Sequence, residues 1–399
     1  MLSGPRPTSE SHRVTTLELL LDLVFVYAIT QVTTYGAHHL TGTGLAQCLV
    51  LLGLIWFGWT AYAWLGNQAR ADEGPLRLAM IFAMVGFFVV ALTVPEAFHD
   101  RAGGLFGPLV FVLAYATVRL AHLAVYRVAA GDDMELRATL RRAFLSVLPS
   151  LLLLLAGTVV GDDPRLALWA LAVLLDYGTV FLSGASGWRV RAPSHFAERH
   201  GLIVIIAIGE SIVSVGVAVA DAPISWPILA GSTLGIIIAV ALWWAYFDVV
   251  ALVAERTLAR LTGDARTRLA RDSYTYLHLP LVTGIVMLAL GTKVVLLQAA
   301  SAEHGHGAPL PDLALWVMYG GAALFLVSMS ALRWRNLGRP NVQRLVVAAL
   351  LLVAAAGGTA GDLPALVHLA VVTSALVMLL AYEVVRFRDV RATVRAGQE

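Results

Sequence analysis

Apolar runs of about 20 residues recur along this chain, separated by short polar connections, and that recurrence restricts the fold more than any motif does. Each run is long enough to cross a hydrocarbon core of ~30 Å at a rise of ~1.5 Å per residue. In lipid, a backbone satisfies its own polar groups only as a helix or in a closed barrel. The runs lack the period-two alternation of barrel strands. The chain is therefore read as an all-α, polytopic membrane protein. Composition agrees, with 59% of the 399 residues hydrophobic and 14% charged, against roughly 45–50% apolar in soluble domains.

The expected spans are 16–37, 45–66, 76–98, 105–127, 143–161, 164–184, 200–220, 226–249, 274–299, 312–333, 344–358 and 363–385, twelve in all. The shortest, 344–358, is expected to tilt little or to thin the bilayer locally. Basic residues test the count, because cytoplasmic loops hold the excess of Lys and Arg. The N-terminus, the even-numbered connections and the C-terminus carry 24 of the 28, and the odd-numbered connections carry only Arg101 and Arg165. Adding or losing one helix would scramble this alternation. Both termini are thus expected in the cytoplasm, and the location is read as the bacterial cytoplasmic membrane. The first run carries Glu18 and Asp22 and lacks a small-residue cleavage site, so no cleavable signal is expected.

Several function classes fall away. The net charge of +2 is spread over seven separate segments, which is a topology signal and not a nucleic-acid surface. The single Cys48 excludes an intrachain disulfide and reads as a packing residue. No connection is long enough for a soluble domain. The longest, over residues 250–273, is expected to form a cytoplasmic helix, and the basic tail from Arg386 is expected to rest on anionic headgroups. No nucleotide, haem or hydrolase motif occurs, and no cofactor is implied. The implied partners are membrane lipids and a small molecule or ion.

The chain also reads as two parallel six-helix repeats, 1–184 and 185–399. Shifting it by 180 residues sets Glu18 on Glu198, and by 184 sets Trp59 and Tyr62 on Trp243 and Tyr246. At 198, Gly86 and Ala91 meet Gly284 and Ala289; at 200, Pro164 and Ala170 meet Pro364 and Ala370. The offset rises monotonically, as insertions confined to loops require. An even number of helices per half makes the repeats parallel.

Glu18, Asp22, Arg119, Asp176, Glu210, Asp248 and Lys293 lie inside the apolar runs. A charge at a helix centre costs roughly 2.5–3.5 kcal/mol on insertion scales, so such residues face a bundle interior or a wet cavity and have partners. Glu18 lies at the start of its run with Asp22 one turn deeper on the same face. Arg119 and Asp176 sit at comparable depth, His122 lies near Arg119, and Glu210 comes about 15 Å past His200, near the midplane. With Lys293 as the exception, the charges gather in the cytoplasmic half and centre, as a cytoplasm-open cavity ending at Glu210 requires. The structural reading is a set of ion pairs that fixes helix packing, and Asp248 and Lys293 are assigned to it. Ser214, one turn from Glu210, is placed to hydrogen-bond its carboxyl.

A polar knot, "HFAERH", precedes Glu210. His195, Glu198 and Arg199 stand at i, i+3 and i+4 and can share a helix face, with His200 turned away. This is not the two-histidine spacing of a helical zinc site, and no metal is expected. The bland reading is an interfacial ion-pair cluster that fixes the helix start. "DDME" (132–135) and "GDDP" (161–164) resemble diphosphate-binding acid clusters but fall on opposite membrane faces. "HGHG" (304–307) is read as exposed histidines.

Two long segments carry a family resemblance: "TTLELLLDLVFVYAITQVT" (15–33) and "HFAERHGLIVIIAIGESIV" (195–213), supported by "YLHLPLVTGIVMLALG" (276–291). In order and spacing the chain resembles the bacterial low temperature requirement A proteins over nearly its whole length. Glu18, Asp22, His195, Glu198, Arg199, His200, Glu210 and Ser211 occupy motif positions. The resemblance implies family and topology, with no established reaction. Two function classes stand. The first is a proton- or cation-coupled secondary transporter, with Glu210, Asp22 and Glu18 as coupling acids. Arg119 then supplies counter-charge, alongside Asp176, His195, Glu198, Arg199 and His200. The second is an intramembrane enzyme acting on a lipid or isoprenoid, with Glu210 or Asp176 as general acid.

The charge asymmetry makes a topology prediction. Alkaline phosphatase, active only outside the cytoplasm, should be active when fused after Asp221 and inactive when fused at the C-terminus, with the reverse for a fluorescent-protein fusion.

Overall fold

The computed structural model describes residues 13–182, 184, 187–300, 309–359, 361 and 363–396. Among these residues there are helices and no strands. In chain order the helices are α1 (Thr16–His38), α2 (Gly42–Gln68), α3 (Gly74–Thr93), α4 (Gly107–Ala129) and α5 (Met134–Thr158). They continue with α6 (Asp162–Leu182), α7 (Pro193–Ala218), α8 (Trp226–Phe247), α9 (Val250–Arg260) and α10 (Gly263–Leu269). The last five are α11 (His278–Ala300), α12 (Asp312–Leu337), α13 (Val342–Gly358), α14 (Ala365–Arg386) and α15 (Arg388–Arg395). Among the described residues, eleven spans are long and apolar enough to cross a membrane. The chain is an integral, multi-pass membrane protein.

Four departures from the sequence reading have local physical causes. Helix α13, counted as a twelfth span, has 17 residues and reaches only about 25 Å, the lower limit for crossing. Helix α3 tightens into a 3-10 turn at Val94–Glu96, where Pro95 supplies no N–H to continue the ladder. The expected helix over 250–273 is broken: Thr262 is extended and Gly263 adopts φ 56°, a conformation that suits glycine. Arg266 Nε donates to the freed Leu261 carbonyl at 2.6 Å. Helix α7 starts at Pro193, so "HFAERH" forms its first two turns and does not precede it. Proline at a helix start loses no hydrogen bond.

The acid-rich segments turn out to serve helix starts. Asp133 caps α5, its side chain accepting from Leu136 N at 3.1 Å. Asp162 opens α6 and pairs with Arg165 at 3.2 Å. The basic tail folds as α15, and Arg391 lies 2.7 Å from Asp248. The histidines of "HGHG" lie outside the described residues.

Contacts divide the chain into two compact units. One holds the chain up to Tyr35, Thr43–Leu202 and Leu258–Arg271; the other holds Gly36–Gly42, Ile203–Thr257 and the chain from Asp272. The division falls within α7. The polar knot therefore belongs to the first unit and Glu210 to the second.

Each unit is built around one enclosed helix, α2 in the first and α11 in the second; in each, 83% of the most apolar window is buried. Outer helices leave large apolar side chains exposed, among them Leu20, Leu23, Phe82, Val85, Leu350 and Val353. Such a surface is stable against hydrocarbon and would be a liability in water. In the second unit, α11 and α12 approach backbone to backbone. A Cβ added at Gly321 would stand 2.5 Å from Leu288 N and 2.8 Å from Gly284 O, and one at Gly284 would stand 2.6 Å from Phe325 N. Small residues permit this approach, which maximises dispersion contact where lipid supplies no hydrophobic drive between helices.

Neighbouring glycines separate the packing effect from helix propensity. Gly321→Ala should destabilise by about 1–3 kcal/mol through overpacking. Gly320→Ala, whose added Cβ would meet only Met287 Cε at 4.0 Å, should be neutral or stabilising because alanine favours helix. Thermal unfolding of the two variants in detergent checks the contrast.

Candidate functional site

In the first unit, the start of α1 is organised by a reciprocal cap. Thr15 N donates to Glu18 Oε2 at 2.9 Å, and Glu18 N donates to Thr15 Oγ1 at 3.3 Å. This is a capping box, written in the sequence as T-x-x-E before an apolar run. The same carboxylate faces inward: Arg199 Nη1 lies 2.9 Å from Oε1, and His195 Nε2 lies 3.1 Å from both oxygens. One turn deeper, Asp22 Oδ1 accepts from Arg199 Nη2 at 2.6 Å and from Trp59 Nε1 at 2.8 Å. Glu18, His195 and Arg199 are fully buried and Asp22 nearly so.

Two helices therefore supply matched pairs at the same spacing. Glu18 and Asp22 are at i and i+4 on α1, His195 and Arg199 at i and i+4 on α7, and such residues lie one above the other on a helix face. Helix α2 provides the frame. Asn67 Nδ2 donates to Ala192 O at 2.6 Å and its Oδ1 accepts from Arg191 N at 2.8 Å, which fixes the chain entering α7. Asn67 Nδ2 also lies 3.4 Å from His195 Nδ1, so Nδ1 accepts and the ring proton is assigned to Nε2, facing Glu18. Gly66 sits where a Cβ would strike Glu18 Oε1. The guanidinium of Arg199 lies 5.7 Å from the Trp59 ring centroid, a cation–π distance.

The other two residues of the knot have different work. Glu198 is half-buried and its Oε2 accepts from Val14 N at 3.3 Å. It thus holds the chain entering α1 and stands apart from the His195 and Arg199 grip. His200 donates from Nδ1 to Phe196 O at 2.9 Å, and its ring meets Trp59 edge-on at 5.0 Å. It packs among aromatics in the first unit.

Arg119 and Asp176 form a second buried pair in that unit, with Nη2 and Oδ2 3.9 Å apart and the guanidinium 4.4 Å above the Phe57 ring. The carboxylate partner of Arg119 is therefore Asp176, and that of Asp22 is Arg199 rather than Arg119. Tyr115, Arg119, His122 and Tyr126 recur at i, i+4, i+7 and i+11 on α4, all buried. At ~100° per residue they form one polar stripe along an otherwise apolar helix. Tyr62 OH crosses from α2 to the Val118 carbonyl at 3.0 Å, which seats α2 beside the stripe.

In the second unit, Glu210 is fully buried and accepts from Ser214 Oγ at 2.6 Å, the contact that their spacing predicts. Lys293 of α11, also buried, lies within Coulombic reach of Glu210. The sequence reading set Lys293 apart as the exception. Its electrostatic neighbour is Glu210, and the two residues stand at similar distances from the ends of α7 and α11, about 12 and 10 Å at ~1.5 Å per residue. Asn67 and Gly66 were not singled out from sequence, and Trp59 only as a position of the internal repeat. The T-x-x-E signature was available and would have assigned Glu18 a capping role.

The family model described as "Bacterial low temperature requirement A protein (LtrA)" matches residues 13–381. A protein of Rhizobium meliloti (strain 1021) named "Uncharacterized protein RA0937" is similar at 28% identity over 327 residues, covering 77% of this chain and 74% of that protein. No solved structure matches the chain.

Removing one partner of a buried ion pair leaves an uncompensated charge at a cost of about 3–5 kcal/mol. Arg199→Gln should lower the thermal unfolding midpoint in detergent accordingly. Adding Asp22→Asn to that variant should recover part of the loss, because one of the two stranded carboxylates is then neutral. Equal additive losses in the double variant would contradict the network.

Proposed function

The chain belongs to the bacterial low temperature requirement A family, and on that premise we propose that it is a proton- or cation-coupled secondary transporter of the bacterial cytoplasmic membrane, with both termini in the cytoplasm. The carrying observation is the charge count of the network around Arg199. Two carboxylates, Glu18 and Asp22, share one guanidinium, and His195 lies between Glu18 and Asn67. Two acids against one guanidinium leave one carboxylate in excess. Burying an unpaired charge is expensive, so the network favours uptake of one proton or one monovalent cation.

Asp22 is the natural acceptor within the set. Glu18 uses both oxygens, on Thr15, His195 and Arg199. Asp22 engages Arg199 and Trp59 through Oδ1, and its buried Oδ2 has no hydrogen-bond partner among the described residues. A proton placed there neutralises the network while leaving the Glu18 to Arg199 bond in place. Glu210, paired electrostatically with Lys293, is a second ionisable acid on the same helix, α7. Two charge-sensitive sites on one helix suit a carrier in which ion occupancy biases helix position. The division into two compact units is the organisation that carriers built from two halves use.

The test is transport by the full chain in liposomes loaded with a pH-sensitive dye and challenged with a panel of amino acids, sugars and monovalent cations. The wild type should give a substrate-dependent dye signal, and Asp22→Asn should abolish it while retaining its fold. Unchanged coupled flux in Asp22→Asn would overturn the assignment of the coupling acid. Chemical alteration of extracted lipids by purified protein, with no gradient present, would replace the carrier by an enzyme.

A further inference from the structure

Away from these sites, the second unit contains a cavity of about 190 Å³. It lies where the C-terminal turns of α8, α12 and α14 meet the first turn of α13, with residues of α9 and α15 in its wall. Its charged lining comprises Arg333, Arg344 and Arg391 against Asp248 and Glu383. Two of the arginines are committed. Arg344 forks onto Glu383, with Nε to Oε1 and Nη2 to Oε2 both 2.8 Å, and Asn341 Nδ2 adds a third bond to Oε1 at 2.9 Å. Arg391 lies 2.7 Å from Asp248, which Arg395 also approaches at 3.6 Å. Arg333 has a Coulombic link to Glu383 and, among the described residues, closes no ion pair of its own.

At the C-terminal end of α12 an arginine can answer free carbonyls, and three carbonyls around this cavity already have other donors. Gly338 N donates to Trp334 O at 2.8 Å, Phe387 N to Glu383 O at 3.1 Å, and Arg344 Nη2 to Ala245 O at 3.3 Å. The wall thus carries one guanidinium more than its carboxylates balance, and a guanidinium fork matches a phosphate or carboxylate. The rest of the lining is apolar, with Trp244, Val250, Val253, Leu380 and Phe387. A cavity of this size holds an anionic head and the first carbons of a chain.

We propose that this cavity binds the head of an anionic amphiphile, its phosphate or carboxylate on Arg333 and the start of its apolar chain against Trp244, Leu380 and Phe387. The proposal is independent of the transporter reading. The shared chemistry has two sources, an acidic phospholipid of the bilayer or a free fatty acid, and the experiment separates them.

Full-length protein is equilibrated in one arm with phosphatidylcholine vesicles with and without phosphatidylglycerol, and in another with oleate. Retained amphiphile is then counted by native mass spectrometry. The wild type should retain one acidic amphiphile over phosphatidylcholine. Arg333→Gln should weaken that retention roughly tenfold, the loss of one charged hydrogen-bonding partner, and Trp244→Ala should weaken it through the apolar wall. Both variants should unfold close to the wild-type temperature, since neither removes an ion pair of the fold; if Arg333→Gln does not fold, Arg333→Lys serves, with reduced retention expected from the lost fork. Retention of phosphatidylglycerol assigns a bilayer source, and retention of oleate alone assigns a free one. Equal retention by wild type and the Arg333 variants would overturn the proposal, as would equal displacement of the retained amphiphile by millimolar inorganic phosphate added to either arm.

Discussion

The guanidinium of Arg199 has to be charged, dry and paired, and much of the first unit is arranged around that requirement. Two carboxylates one turn apart on α1 meet it in a fork, an indole N–H completes one of them, and an imidazole completes the other. Each of these groups would be costly alone in a low-dielectric interior. Their mutual satisfaction constrains the rotation of α1 and α7, because turning either helix by one residue would carry its pair away by ~100°. Helix α2 must then bring a glycine to Glu18, a tryptophan to Asp22 and an asparagine to the start of α7.

The capping box gives Glu18 a dual character. Its carboxylate belongs both to the α1 start and to the buried charge network. The network thus shares a residue with the first turn of α1, and Glu198, on the same helix as Arg199, holds Val14 just before it. Asp22 has no such backbone duty. The distinction between an acid that is structurally committed and one with an oxygen to spare comes from hydrogen-bond accounting, since both are buried carboxylates on the same face.

The second unit solves its packing differently. Its centre is held by backbone approach of α11 and α12 through glycines, which needs no charge. Its ion pairs, Arg344 with Glu383 and Arg391 with Asp248, lie where α8, α13, α14 and α15 meet, and Lys293 lies within Coulombic reach of Glu210 along the helices. One face of the basic tail packs on the protein, with Val394 buried, its carbonyl taken by Arg256 at 2.6 Å, and Arg391 on Asp248.

Hydropathy, arginine alternation and the two long motifs were legible in the sequence because each depends on one residue's preference for water or lipid, or on a linear pattern. Those preferences determined the class, the eleven long spans though not the short α13, the family, and the short contact from Ser214 to Glu210, whose partners are four apart on one helix. The helix break at Gly263 and the cap at Glu18 were also locally encoded, in a positive-φ glycine and a T-x-x-E signature. The partners of the buried charges were not. His195 and Arg199 meet Glu18 and Asp22 across 177 residues of chain, and Asn67 reaches Ala192 across 125. A buried charge demands a partner without specifying which, and helix rotation and crossing decide the answer. Only the tertiary structure determined that Arg199 serves both acids of α1, that Arg119 serves Asp176, and that Lys293 comes within Coulombic reach of Glu210.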